Sequence, residues 1–174
     1  MAEQLQLVKP SQEYYDEYVS FYEEWKNSKE PIVPWVVDKE PYDFAAYLHF
    51  LESEVDENIL SADFVPHTTY WLRREDGRIV GAVNIRHRLN DRLLCVGGHI
   101  GYGIRPSERQ KGYATAILAM SLDITRELGL KKVLVVCDSW NTASEKTILK
   151  NGGVLESDYT EEDGNVVRRY WIEL

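Results

Sequence analysis

The stretch that decides the fold is IGYGIRPSERQKGYATAIL, residues 100–118. A short apolar run stops at Pro106 and a polar loop holding Gly112 follows. Ala114, Ile117, Leu118, Ser121 and Leu128 then recur at helical spacing up to Gly129. This predicts a strand over roughly Gly98–Arg105 and a helix from about Gly112 to Leu128. A loop running straight into a helix offers unpaired backbone N–H groups at the positive end of the helix dipole, an arrangement that takes phosphate oxygens. The pattern is neither G-x-G-x-x-G nor Gly-Lys-Ser/Thr. A tight strand–helix turn with no ligand is the plain alternative.

Working outward, VLVVCD at 133–138 is short, apolar and β-branched, as a buried strand returning parallel after a crossover helix should be. A helix over Asn141–Lys150, a stop at Gly152-Gly153 and two strands around Asp163-Gly164 complete the chain. On the other side, TTYWLRR and RIVGAVNIRHRL flank Glu75-Asp76-Gly77, a hairpin signal. Before them, a strand over Leu5–Val8 and a Ser11 N-cap lead into a helix striped by Tyr14, Tyr18, Phe21 and Trp25. Prolines 31, 34 and 41 then precede a second stripe of Phe44, Tyr47, Leu48, Leu51 and Val55. The expected fold is α/β (α+β), a single domain over 1–174. Its sheet is mixed and mostly antiparallel, of about seven strands flanked by four helices, with a central parallel strand–helix–strand unit.

At 174 residues and 44% hydrophobic, the chain can bury one core and contains no membrane-length apolar run. The opening residues lack the order of a signal peptide, so a cytoplasmic location is expected. Cys95 and Cys137 are too few for a disulfide framework or a cysteine metal site. The net charge of −9 argues against nucleic acid. Residues 11–63 carry 14 acids against 3 bases, whereas residues 64–174 carry 14 acids against 16 bases. Either the two parts face different partners or the first is a solvated acidic helix pair.

Arg109-Gln110-Lys111-Gly112-Tyr113-Ala114 fits Q/R-x-x-G-x-G/A, the pyrophosphate motif of the GNAT superfamily of acetyl-CoA-dependent N-acetyltransferases, which the sequence resembles. VLVVCDSWNTASEKTILKNGG is similar to the family's next strand and helix, with Asn141 at the helix start and Ser144 three residues on. The resemblance implies an acetyltransferase using acetyl-CoA and no metal. Backbone N–H groups of Arg109, Gln110, Lys111, Gly112, Tyr113 and Ala114 would hold the pyrophosphate, with Arg105, Arg109 and Lys111 adding charge. Gly103, Ile104 and Arg105 would pair with the pantetheine, and a backbone N–H near Ile104 would polarise the thioester carbonyl as charge develops on its oxygen. The family strand carrying that contact splays from the next at a bulge, with which Gly101 and Gly103 are compatible.

Many family members place an acid, a tyrosine, where this chain has Ile148. Tyr102 is the candidate substitute, unless the thiolate leaves unaided. His99 is the candidate base, its alternative being a histidine hydrogen-bonded at the sheet end, and His67 and His87 are weaker candidates. Cys137 reads as a structural thiol. The family's acceptor pocket is built largely from the first two helices, here the acidic segment. A small-molecule or peptide amine, cationic in character, is therefore the expected acceptor, with Trp25, Trp35 and Trp71 as candidate lining. The competing readings are a non-catalytic CoA-binding module, a longer acyl donor, and a protein N-terminal or lysine acceptor. Nucleic acid and membrane are not expected partners, and the terminal strands could extend a sheet across a homodimer.

Overall fold

In a computed structural model, residues 3–174 are described. The strands are β1 (Leu5–Val8), β2 (His67–Arg74), β3 (Ile79–Arg86), β4 (Ile100–Ile104), β5 (Lys132–Asp138), β6 (Val154–Thr160) and β7 (Val166–Glu173). The helices are α1 (Tyr15–Ser28), α2 (Phe44–Ser53), α3 (Tyr113–Glu127) and α4 (Thr142–Lys150). No helix among the described residues is long and apolar enough to cross a membrane.

Instead of one seven-stranded sheet there are two antiparallel sheets, ordered β1-β2-β3-β4 and β5-β7-β6. The strand–helix–strand unit β4–α3–β5 is present, but its strands meet only at their base. There the His99 N–H donates to the Leu134 carbonyl at 2.7 Å and the Leu134 N–H donates to His99 Nδ1 at 2.9 Å. Beyond that point β4 and β5 belong to different sheets. Apolar periodicity marks strands without saying which ladder they join, so the split lies outside what the sequence pattern records.

Period-two alternation distributes side chains between two cores. On one face of the first sheet Leu72, Val83, Ile85, Ile100 and Ile104 pack with Ile117 and Leu118 of α3. On the other, Trp71 and Ala82 pack with Tyr18, Phe21 and Trp25 of α1 and Phe44 and Tyr47 of α2. The bulge lies between Leu72 and Arg73 in the β2–β3 pair, whereas β3 and β4 pair in regular register. Ser11 makes no side-chain cap; a 3-10 turn at Gln12–Tyr14 opens α1 instead. Val55 falls past the end of α2 and Leu128 past the end of α3, so both are exposed. A π-type turn at Leu93–Gly97, which carries no periodic signal, leads into β4.

Candidate active site

The first turn of α3 is open. Asp43 caps α2 by accepting the Ala46 N–H, and Asn141 caps α4 by accepting the Ser144 N–H at 3.2 Å. At α3 the cap position is Gly112, which has no side chain to offer. The N–H groups of Gly112, Tyr113, Ala114 and Thr115 find no acceptor among the described residues. Gln110 (φ 61°) and Gly112 (φ 87°) take left-handed backbone to make the turn. Nothing lies within 4 Å of where a Gly112 Cβ would be, so the space before the helix is clear. Partial positive charge, aimed donors and free volume together fit a phosphate group.

The side chains of Arg105, Arg109 and Lys111, expected to supply charge to that group, are engaged with carboxylates. Arg105 is buried against α1, donating to Glu24 at 2.6 Å, Glu17 at 3.0 Å and the Ser20 hydroxyl at 2.8 Å. Arg109 pairs with Glu30 at 2.5 Å, lies 5.5 Å from the Trp25 ring and donates to the Ile104 carbonyl at 3.3 Å. Lys111 donates to Glu108 at 2.8 Å, and Arg74 and Arg78 also pair with that buried carboxylate. The Tyr113 hydroxyl donates to Glu3 at 2.6 Å. The donors of this turn with no partner among the described residues are backbone ones.

β4 ends its sheet, so one edge has no strand partner above His99. The Arg105 N–H donates to Val80 on β3 at 2.8 Å, and in an antiparallel ladder only alternate residues turn inward. Tyr102 and Ile104 therefore present their N–H groups to the open edge. Gly103 makes no bulge: a Cβ there would overlap the Val33 carbonyl oxygen and Trp25, so glycine is needed for close packing.

The Tyr102 hydroxyl reaches Ser144 Oγ at 2.9 Å, crossing from β4 to the start of α4. Burial pushes this phenol up to about 12, leaving it protonated at neutral pH. Asn141 and Ser144 thus serve α4 and Tyr102 through their side chains. Ile148 is fully buried in the α3-side core. Burial pushes the Cys137 thiol up to about 11, in keeping with a structural role.

His99 is hydrogen-bonded at the sheet end, the alternative to its role as a base. Its Nδ1 lone pair is occupied by the Leu134 N–H, which puts the ring proton on Nε2. Burial, aided by Arg86, lowers it to about 4. Trp25 and Trp71 are removed from the acceptor-lining set: at 1% and 0% exposure they are core.

Trp35 does line a cavity, of about 470 Å³, with Phe64, Asp63, His67, Arg86, Arg92 and Glu161. His67 is buried there between Glu54 (Nε2 to Oε2, 2.9 Å) and Asn84 (Nδ1 to Nδ2, 2.8 Å), and burial lowers it to about 4. Arg86 did not emerge from the sequence reading. The signal was available, since Ala82, Asn84 and Arg86 share one face of a strand whose other face is apolar.

The sequence matches the acetyltransferase (GNAT) domain over residues 4–154, and the chain belongs to that family. No curated protein is similar enough in sequence to count as a match. Among solved structures, the microcin C7 self-immunity acetyltransferase MccE, in complex with acetyl-CoA and AMP, superposes with a TM-score of 0.70 at 16% identity, covering 98% of this chain and 93% of that one. A chimera of spermidine N-acetyltransferase SpeG from Vibrio cholerae and hSSAT gives 0.67 at 18%, covering 98% and 95%. The structure of yncA from Salmonella typhimurium, with its cofactor acetyl-CoA, gives 0.65 at 12%, covering 100% and 95%. At these identities the likeness is one of fold.

Proposed function

We propose that this chain transfers the acetyl group of acetyl-CoA directly to a primary amine, both held in one ternary complex. The observation that carries the reading is the uncapped first turn of α3 beside the unpartnered edge of β4. Acetyl-CoA, as bound by neighbours of the same fold, supplies an activated thioester. The residues that fit it are Gly112 to Thr115 for phosphate and the outward N–H groups of Tyr102 and Ile104 for the amide-bearing arm. An N–H held rigidly in a ladder is a suitable donor to a carbonyl oxygen that gains charge as the amine adds.

Tyr102 is the acid in this reading. It stays protonated, sits on the edge strand and is oriented by Ser144, in a position Ile148 cannot serve. The amine enters from the cavity beside Trp35. Of the fourteen acids of residues 11–63, Glu17, Glu24, Glu30 and Glu57 pair with the protein's own Arg105, Arg109 and Arg88, which leaves the rest of the acidic segment to act on a cationic acceptor.

Thiol release from acetyl-CoA over a panel of primary amines tests this. Turnover on at least one amine is expected, with Tyr102→Phe lowering kcat by about 10²-fold, as loss of a proton donor does. Tight acetyl-CoA binding with no turnover on any amine would instead mark a binding module.

A further inference from the structure

The cavity beside the start of β4 is lined by two guanidinium groups, Arg86 and Arg92, that have no counter-ion among the described residues. Arg86 follows Asn84 along the α1/α2 face of β3, and Gly101, opposite Asn84, has no side chain to cover. The guanidinium therefore lies across the backbone of β4: a methyl group on Gly101 would stand 3.3 Å from Nη1. Nη1 donates to the Gly97 carbonyl at 3.1 Å. Arg78, Arg105 and Arg109 each hold a carboxylate, yet among the described residues none pairs with Arg86 or with Arg92 on the same cavity wall. Burial and the nearby Arg92 press Arg86 down to about 10, still cationic at neutral pH. A cation partly withdrawn from water and given no anion favours one brought from outside.

The rest of the lining narrows the ligand. Asp63 and Glu161 also face the cavity without an ion pair to either arginine, so both signs of charge are present. Trp35 and Phe64, with ring centroids 5.8 Å apart, give it an apolar side. Its volume of about 470 Å³ suits a small metabolite.

Building on the acetyltransferase reading, we infer that the acceptor is amphoteric: an amine that also bears an oxyanion, seated on Arg86, with an apolar side group against Trp35 and Phe64. A linear polycation would meet Asp63 and Glu161 on the wall, but it would also have to bring charge toward the buried Arg86 guanidinium, which like-charge repulsion opposes.

The test uses matched acceptors. Leucine, methionine, phenylalanine and tryptophan are compared with their carboxamides, and with the 1-aminophosphonates of the same side groups to tell a carboxylate from a phosphonate. Affinity is read by calorimetry without acetyl-CoA, and turnover separately by thiol release. The oxyanion-bearing member of each pair is expected to bind about 10- to 100-fold more tightly, the range of a charged hydrogen-bonded contact. Arg86→Gln should collapse that ratio toward unity, and Arg86→Lys should restore part of it. Equal affinities in the wild-type protein, a ratio unmoved in folded Arg86→Gln, or tighter binding of spermidine than of any oxyanion-bearing amine would overturn the inference. Oxyanion-selective binding without thiol release would keep the ligand class assigned to this cavity and count against acetyl transfer.

Discussion

Two glycines of one segment have opposite reasons to be glycine. Gly103 is closed in, with Trp25 and the Val33 carbonyl where a Cβ would go, and the carbonyl is backbone that cannot rotate aside. Gly103→Ala should therefore cost about 3 kcal/mol, or roughly 6–12 °C in Tm, by calorimetric melting. Gly112 is open, and its φ of 87° costs any other residue about 1–2 kcal/mol of backbone strain but no clash. Gly112→Trp should melt within a few degrees of wild type yet lose acetyl-CoA binding by titration calorimetry, because its indole would stand before the α3 donors. Retained affinity would remove the anion site from α3. The pyrophosphate motif made Gly112 legible in the sequence. Gly103 was not: its neighbours come from residues 25 and 33, and local pattern suggested a bulge instead. The same distance hid the fates of Arg105 and Arg109, legible as a basic cluster but answered by Glu17, Glu24 and Glu30 from α1 and the residues just after it.

Elements with local signals of their own were the legible ones. The Asp-Gly turns fixed both hairpins, and the stripes of α1 to α4 reported helices whose ends moved by a few residues. The π-type turn at Leu93–Gly97 and the division into two sheets were not legible, one lacking a period and the other being a matter of which strands meet. How α1 attaches to β4 is also a tertiary matter. The buried Arg105 guanidinium joins them through Glu17, Glu24 and Ser20. Burial would raise the Glu24 carboxyl, but hydrogen bonds from Ser107 and Arg105 outweigh it and hold the group at about 2. Removing one member strands the others, so Arg105→Ala should destabilise the protein by about 3 kcal/mol, discounted from a fully buried network because both glutamates reach solvent. Acetyl-CoA affinity should change little. A variant of full stability with weakened acetyl-CoA binding would return Arg105 to the cofactor site.

Across the whole molecule, Glu17, Glu24, Glu30 and Glu57 of the acidic first third tie it to Arg78, Arg88, Arg105 and Arg109 of the basic remainder. What leaves the slot open is the junction between the sheets, where His99 accepts the Leu134 N–H and β4 and β5 part. That junction has a pH signature. Burial, then Arg86, lowers His99 to about 4 from an ordinary 6.5. As pH falls below 6.5 the unfolded chain takes up a proton that the folded one refuses. The stabilisation is thus complete above 6.5 and lost progressively toward 4, by about 1.4 kcal/mol per pH unit. His67 shifts the same way, but burial raises its partner Glu54, so those two titrate as a pair and give a less clean limb. Glu24 extends the acid loss below 4.5 toward 2. His99→Asn keeps an acceptor for Leu134 and cannot protonate. Its Tm should stay near wild type above pH 6.5 and fall less steeply between 6.5 and 4, by one proton's slope in the wild-type comparison. If the two proteins lose stability in parallel across that window, His99 does not hold the junction as a neutral ring.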